Sequence, residues 1–460
     1  MQVNNGHVRT AVAIVTAASL FALAACGSSS GESGAEASGG EDTITVAYQK
    51  TATFTQMDDL MQTAKAEFEA ANSGVTVELM PIEAEQDQYF TRLALMNGSA
   101  ETAPDVIYED TFQIRSDAAA GFLAPIDDYV EEWDDWDQYL DTAKQAGLGD
   151  DGQLYGVSTG TDTRGLYYHK DIFEAAGLPT EWEPETWEDV LEAARAIKES
   201  APDVTPMALY TGQAQGEATS MQGFEMLLYG TGDQLYDTEE QKWVTGSQGF
   251  VDALTFYDTV YSEELGLPLE LALDAAVGGR VATELLPQGQ VGIALDGSWL
   301  PGNWISGDNP WPEWEEKIGF APMPTQEGQE PGATSMSGGW TLAVGSQAED
   351  PQQAFDFIAT ALNRENSLTY YTTAGQIAVR ADIAEDPEYL NYNPSFEFFS
   401  SLVDVTNFRP ATPDYSQISA NIPVATESVA TGSATPEEAA AAYDAGLVQI
   451  VGEDQTTEAP

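Results

Sequence analysis

The sequence predicts an α/β fold with more than one domain. The chain has 460 residues, which is long enough for two or more hydrophobic cores. Short runs of β-branched residues alternate with stretches in which apolar residues recur at helical spacing. That alternation is typical of parallel βαβ units, in which helices cover the faces of a sheet.

The first βαβ unit is predicted between residues 43 and 80. Residues 43–48 (TITVAY) and 75–80 (VTVELM) are rich in β-branched residues and predict two strands, and 105–108 predict a third. Between the first two, apolar residues recur at helical spacing, at Met57, Leu60, Met61, Ala64 and Phe68. Tyr48, Glu109 and Asp110 then lie at the carboxyl ends of strands. Ligands bind at that edge of open α/β sheets.

The centre of the chain is predicted to be a strand followed by helices. Residues 166–168 form an apolar, aromatic strand, and the short helical turn after it is stopped by Gly177 and Pro179. Thr186 and Asp189 then predict a capping box at the start of a helix that runs to about residue 200. Residues 290–299 (QVGIALDGSW) predict a later strand that ends in a turn, and a final helix follows Thr435.

Several segments, in order along the chain, resemble family 1 extracellular solute-binding proteins of ABC importers, the maltose-binding-protein-like group. The resemblance covers nearly all of the chain after its N-terminal leader. The segments that carry it are 121–128 (GFLAPIDD), 165–179 (GLYYHKDIFEAAGLP), 290–299 (QVGIALDGSW), 317–324 (KIGFAPMP), 337–344 (SGGWTLAV) and 409–416 (RPATPDYS).

The resemblance implies a two-lobe, periplasmic-binding-protein-like α/β fold with three inter-lobe crossings and a sugar in the cleft. It assigns residues 42–160 plus 324–342 to lobe 1 and residues 161–323 plus 343–452 to lobe 2. The acidic tail, 453–460, is predicted to be frayed.

The N-terminus is predicted to be an export signal. His7 and Arg9 precede an apolar run that is too short to span a membrane comfortably, and residues 23–26 (LAAC) resemble the bacterial lipobox. This implies a signal peptide at 1–25, lipid on Cys26 and a flexible tether at 26–41. The alternative is a plain signal peptide with an incidental cysteine. As the chain's only cysteine, Cys26 cannot form an internal disulfide.

The charge balance excludes some partners. There are 76 acidic and 16 basic residues, a net charge of −60. Such a field repels nucleic acid and anionic lipid head groups, so neither is an expected partner. The only membrane attachment predicted is the lipid anchor.

We interpret this charge as an adaptation to a salty medium, although secreted proteins of this kind are often acidic. Added salt screens mutual repulsion, because the Debye length falls from about 8 Å at about 0.15 M to about 3 Å at about 1 M. The midpoint of thermal unfolding should therefore rise steeply as NaCl is added. A flat or falling series would refute the interpretation.

The residue inventory predicts a binding protein without enzymatic activity, cofactor or metal. The chain has two histidines, His7 in the signal and His169 in a predicted surface turn. Histidine-based zinc sites and Ser-His-Asp triads are therefore not expected. The glycine clusters lack the lysine of a P-loop. A secreted glycan hydrolase remains an alternative, with Asp110 and Asp162 as its carboxylate pair.

A sugar cleft needs aromatic rings for C–H faces and charged groups for hydroxyls. Trp299 and Trp340 each lie beside glycines in turns that the resemblance places at the cleft; the alternative is that both pack in the hinge core. The predicted polar contacts are Asp110, Asp162, Arg164, Glu109, Tyr48, Arg409 and Glu225. Each of these charged residues also has an alternative structural role. Asp110 could cap the end of its strand, Asp162 and Arg164 could pair with each other across the hinge, and Arg409 could brace a loop or helix.

Together these features predict a monomeric, lipid-anchored solute-binding protein on the outer face of the cytoplasmic membrane. It is expected to capture a sugar or oligosaccharide and deliver it to the transmembrane permease of an ABC importer. A peptide, a polyamine or a glycerol phosphoester is the alternative ligand.

Overall fold

The computed structural model describes residues 42–305 and 310–459. The predicted signal peptide, Cys26 and the whole tether lie outside the described residues. The strands are β1 (Asp42–Lys50), β2 (Val75–Glu83), β3 (Val106–Asp110), β4 (Leu123–Ala124), β5 (Gly156–Thr161), β6 (Arg164–His169), β7 (Thr205–Ala208), β8 (Tyr236–Asp237), β9 (Lys242–Thr245), β10 (Val291–Gly297), β11 (Ile318–Ala321), β12 (Met323–Pro324), β13 (Ala333–Ser337), β14 (Gly339–Gly345), β15 (Thr406–Phe408) and β16 (Thr456–Glu458).

Helices make up most of the remaining described chain. The α-helices are α1 (Gln56–Ala71), α2 (Gln86–Asn97), α3 (Ile114–Ala119), α4 (Asp127–Glu131), α5 (Asp141–Gln145), α6 (Lys170–Ala175), α7 (Trp187–Ser200), α8 (Met226–Thr231), α9 (Gln248–Ser262), α10 (Leu269–Ala272), α11 (Val277–Arg280), α12 (Leu300–Ile305), α13 (Trp314–Lys317), α14 (Pro351–Ala361), α15 (Arg364–Ala374), α16 (Ala381–Ala384), α17 (Pro387–Leu390), α18 (Ser395–Ser401), α19 (Tyr415–Ser419), α20 (Asn421–Ala430) and α21 (Pro436–Val451). Two segments are π-helical, Ala218–Glu225 and Val281–Leu285.

The first lobe is built on a mixed sheet with the strand order β2-β1-β3-β14-β4, and β5 also pairs with β14. The predicted βαβ unit is confirmed: β1 pairs in parallel with β2 and with β3, and α1 packs on this sheet. The predicted buried face of α1 is confirmed as well, because all five of its apolar positions are buried.

The second lobe is built on the sheet β11-β6-β10-β7. Thr186 and Asp189 form the predicted capping box at the start of α7. His169, predicted in a surface turn, instead ends β6 as a buried residue whose ring centroid lies 6.3 Å from that of Trp311. The prediction was wrong because the partner that covers this histidine is far away in sequence.

The chain passes between the two sheets three times. It enters the second sheet between β5 and β6, and it returns to the first at β14. After α17 it leaves again, since Phe396 packs in the core of the first lobe and Phe399 in a core of the second. The last helices, α19, α20 and α21, pack with the second lobe.

This path differs from the predicted division of the chain. The sequence placed the third crossing at 342–343 and assigned 343–452 to lobe 2. Instead, β14 stays paired with β3 through Val344, and α14 and α15 pack against α1. The second crossing also falls later than predicted, because Met336 still packs in a core of the second lobe.

The acidic tail is partly ordered. Residues after Gly452 were predicted to be frayed, but β16 pairs in parallel with β9, with Thr456 opposite Trp243. Backbone pairing with an otherwise open strand edge overrides the unfavourable charge of this segment.

Candidate functional site

A cavity of about 250 Å³ lies between the two lobes. The first lobe contributes residues at the carboxyl ends of β1 and β3, among them Gln49 and Asp110. The cavity therefore lies at the edge of the sheet where ligands bind in open α/β folds. The second lobe contributes Tyr210, Gln215 and Glu217 from the segments around the π-helix Ala218–Glu225. Short π-helical segments occur frequently at functional sites.

Trp299 lies on the cavity wall between β10 and α12. Its ring packs directly on Gly297, where a Cβ atom would come within 1.9 Å of the indole. The guanidinium of Arg164 lies over the same ring, 4.8 Å from its centroid. A side chain at position 297 would therefore displace the indole from this wall.

Trp340 lines the cavity from the first lobe as part of an aromatic group. Its ring is stacked on Tyr108, with 4.4 Å between centroids and 9° between planes, and on Phe90, with 5.7 Å and 27°. Tyr108 also faces the cavity. The indole is half-buried, so it presents only part of its surface to a ligand.

Asp162 and Arg164 form an ion pair on the cavity wall at the first crossing. Asp162 also accepts a hydrogen bond from the Gly338 N–H at 3.0 Å, and Arg164 donates to the Met336 carbonyl at 3.0 Å. The pair thus joins the first two crossings. The Nε of Arg164 is buried and has no hydrogen-bond partner among the described residues.

Arg409 connects the two lobes inside the cavity. Its guanidinium donates to Asp110 at 2.6 Å and lies 3.4 Å from Glu217, with all three side chains nearly inaccessible to solvent. Its guanidinium also lies over the Phe112 ring, 4.4 Å from the centroid. Burial raises the pKa values of Asp110 and Glu217, and the positive charge of Arg409 opposes both shifts.

The lobes also touch at the mouth of the cavity. Asp87 of α2 accepts a hydrogen bond from the Glu217 N–H at 3.1 Å. Gly216 has φ of +51°, and a Cβ atom there would come within 1.7 Å of the Asp87 carboxylate. Glycine at this position therefore permits the contact between lobes.

Three of the predicted ligand contacts do not line the cavity. Tyr48 is buried in the first lobe and donates to Asp58 at 2.5 Å. Glu109 belongs to β3 and is fully buried inside the first lobe, and this burial raises its pKa well above the ordinary value. Glu225 does not reach the cavity but is linked to Glu217 on its wall through the hydroxyl of Tyr415. The other six predicted residues line it.

Most of the second-lobe wall, including Tyr210, Gln215 and Glu217, was not predicted from the sequence. Their segment meets the cavity only because the lobes fold together, and Glu217 and Arg409 are 192 positions apart. The one available signal was Gly216, which is flanked by two polar residues.

Neither a metal cluster nor a membrane-spanning helix is found in the described part of the chain. Within residues 42–305 and 310–459, no three His, Cys, Asp or Glu side chains are grouped to hold a metal ion. Over the same residues, every helix is too short or too polar to cross a bilayer.

Two α/β lobes that are joined by three crossings and enclose a polar, partly aromatic cavity define a two-lobe solute-binding protein. Residues 51–367 match the model of the bacterial extracellular solute-binding proteins, and the chain belongs to that family. It is therefore an extracytoplasmic binding protein of the ABC-importer type and not an enzyme. The family resemblance and the fold class predicted from the sequence are confirmed.

Two relatives and one solved structure show what this chain is similar to, each at below 30% identity. The chain is 26% identical to the arabinooligosaccharide-binding protein of Halalkalibacterium halodurans, over 69% of this chain and 67% of the relative. It is 27% identical to a probable ABC transporter-binding protein of Deinococcus radiodurans, over 65% and 70%. A solute-binding protein of Thermotoga lettingae, solved with α-D-tagatose, aligns with a TM-score of 0.76 and 22% identity, over 89% of this chain and all of that one.

Proposed function

We propose that this protein captures an uncharged sugar or short oligosaccharide in the inter-lobe cavity and delivers it to an ABC permease. We further propose that lipid on Cys26 anchors it to the outer face of the cytoplasmic membrane. The single observation that carries the ligand proposal is one wall of the cavity, where the Trp299 ring lies beside the paired charges of Asp162 and Arg164. An indole covers the apolar face of a sugar, and charged groups bind its hydroxyls.

Both guanidinium groups that line the cavity are already paired. Arg164 is paired with Asp162, and Arg409 with Asp110 and Glu217. A ligand phosphate or carboxylate would have to compete with these buried pairs, and breaking a buried pair is strongly destabilising. This supports an uncharged ligand over the glycerol phosphoester that the sequence left open.

Several buried polar atoms at the cavity lack hydrogen-bond partners within the described residues. They are the donor Arg164 Nε and the acceptors Gln215 Oε1 and Gln222 Oε1. Unsatisfied buried polar atoms are unfavourable, typically by about 1–3 kcal/mol each. The wall therefore carries donors and acceptors together, and a hydroxyl, which can both donate and accept, suits a wall of this mixed kind.

The relatives add support for a sugar and for transport. One is named an arabinooligosaccharide-binding protein and another a probable ABC transporter-binding protein. The aligned structure from Thermotoga lettingae holds α-D-tagatose. These names belong to those proteins, and the sugar of this chain is to be found by screening.

The proposal predicts a thermal shift with sugars that depends on the cavity tryptophans. Tagatose, maltose and arabinotriose are to be screened by thermal unfolding, with glycerophosphocholine, a zwitterion, as a phosphodiester-bearing comparator. At a free concentration 100 times Kd, a bound ligand stabilises the fold by about 2.7 kcal/mol, a shift of several degrees. Trp299→Ala or Trp340→Ala should abolish the shift produced by the active sugar.

Trp136→Ala is the matched control, since Trp136 is half-buried and lies outside the cavity. That variant should keep the sugar-induced shift. Unchanged shifts in both cavity variants would refute the stacking role. A response to glycerophosphocholine alone would refute the sugar proposal.

A further inference from the structure

Behind the cavity, the hydroxyl of Tyr415 lies between two buried carboxyl groups. Its oxygen is 2.6 Å from Oε1 of Glu225 and 2.8 Å from Oε1 of Glu217. A phenol has one hydrogen and donates one hydrogen bond, whereas an ionised carboxylate only accepts. One of the two carboxyl groups must therefore be protonated and donate a hydrogen bond to the Tyr415 oxygen.

The surrounding contacts identify which carboxyl group is protonated. Glu217 has further donors, because Ser419 donates to its Oε2 at 2.8 Å and Arg409 lies 3.4 Å from its Oε1. Glu225 has no exposed surface, and its Oε2 has no partner among the described residues. The ionised form is favoured where donors and a positive charge are available, so the proton belongs on Glu225.

We propose that Glu225 and Tyr415 are positioning residues of the binding cavity. Glu225 is held as the neutral acid and donates to Tyr415, which donates to Glu217 and fixes it against Arg409. We call this chain of hydrogen bonds from Glu225 through Tyr415 to Glu217 the relay. Its effect on ligand binding rests on the proposed function, whereas the protonation of Glu225 can be measured without any ligand.

The relay ends at groups that belong to both lobes. Glu217 lines the cavity from the second lobe, and Arg409 joins it to Asp110 at the end of β3. The titratable and charged groups that face Glu225 from the elements packed around it are Glu217, Tyr415, Arg409, Arg164, Tyr229 and Tyr443. Ionising Glu225 would place two anions against one hydroxyl and weaken the hydrogen bond that Tyr415 donates to Glu217.

The environment of Glu225 supports a titration in the accessible pH range. Burial, assisted by the negative charge of Glu217, raises the pKa of Glu225 to about 8. The positive charges of Arg409 and Arg164 oppose that shift. The relay should therefore be intact at neutral pH and lost in alkaline solution.

The protonation of Glu225 is tested by nuclear magnetic resonance on the ligand-free protein, with ¹³C-labelled glutamate carboxyl groups and ¹⁵N-labelled arginine. We expect the Glu225 carboxyl signal to titrate with a midpoint near 8. The Arg409 Nε signal should shift with the same midpoint, because Arg409 senses the position of Glu217. In Glu225→Gln, whose amide can donate to Tyr415 at every pH, the Arg409 signal should stay constant.

Asp117→Asn is the control, because Asp117 is a different carboxyl group whose pKa burial raises to about 6. It should leave both titrations in place. A Glu225 midpoint near the ordinary value of 4.5 would overturn the proposal, as would an Arg409 signal that ignores the Glu225 titration. If Glu225→Gln does not fold, Tyr415→Phe provides the same test: it should uncouple Arg409 from Glu225, and continued coupling would refute the relay.

Discussion

Replacing Arg409 by Met should lower the free energy of unfolding by about 3–5 kcal/mol. The substitution keeps an apolar stem of similar width but removes what is, among the described residues, the only positive charge within hydrogen-bond distance of both Asp110 and Glu217. Two buried carboxylates would then face each other without a cation, which is the unfavourable arrangement for groups removed from water. Urea denaturation at pH 7 measures this loss.

Arg115→Met is the matched control. Arg115 pairs with Asp150 at 2.9 Å, but the two side chains are 34% and 48% exposed. Exposed pairs of this kind contribute about 0–1 kcal/mol, so this variant should unfold nearly as the native protein does. Equal losses in the two variants, or no loss in Arg409→Met, would mean that the buried pair does not hold the lobes together.

Raising the pH should destabilise the protein through Glu225. The pKa of this carboxyl is raised from 4.5 to about 8, so between these values the folded state holds a proton that the unfolded state has released. Stability conferred by that proton is fully present below about pH 4.5 and is lost as the pH rises towards about 8. At about 1.4 kcal/mol per unit, the loss attributable to Glu225 is roughly 5 kcal/mol.

The difference in free energy of unfolding between the native protein and Glu225→Gln separates the effect of Glu225 from that of the many surface carboxylates. The native free energy of unfolding should fall towards that of the variant, or below it, as the pH rises from about 5 to about 9. Asp296, whose pKa burial raises to about 7, titrates equally in both proteins and cancels. A difference that does not change with pH would show that Glu225 is ionised in the folded state.

Local chemistry determined what could be predicted about the fold. The strand β1, the helix α1 and the capping box of α7 follow from residues within a few positions of each other. The third crossing was misplaced because the sequence of β14 does not reveal which sheet it extends. The packing of α14 and α15 on α1 joins segments about 300 residues apart, and no local pattern reports it.

The same contrast between local patterns and distant contacts explains which site residues could be predicted. Trp299, Asp162 and Arg164 were found because they lie in turns and crossings that the family resemblance places at the cleft, and all three line the cavity. Glu217 was missed since its role depends on Arg409 and Tyr415, both nearly 200 residues away. Glu225 was predicted as a ligand contact, but its part in the structure depends on that same distant tyrosine.

The proposed function requires that one uncharged sugar is held between the lobes. The most direct measurement is a crystal structure of the protein with the sugar that gives the largest thermal shift. We expect that sugar in the inter-lobe cavity, with a ring face against Trp299 and hydroxyls hydrogen-bonded to Asp162 and Arg164. A sugar bound on the outer surface of either lobe, with the cavity filled only by water, would contradict the account.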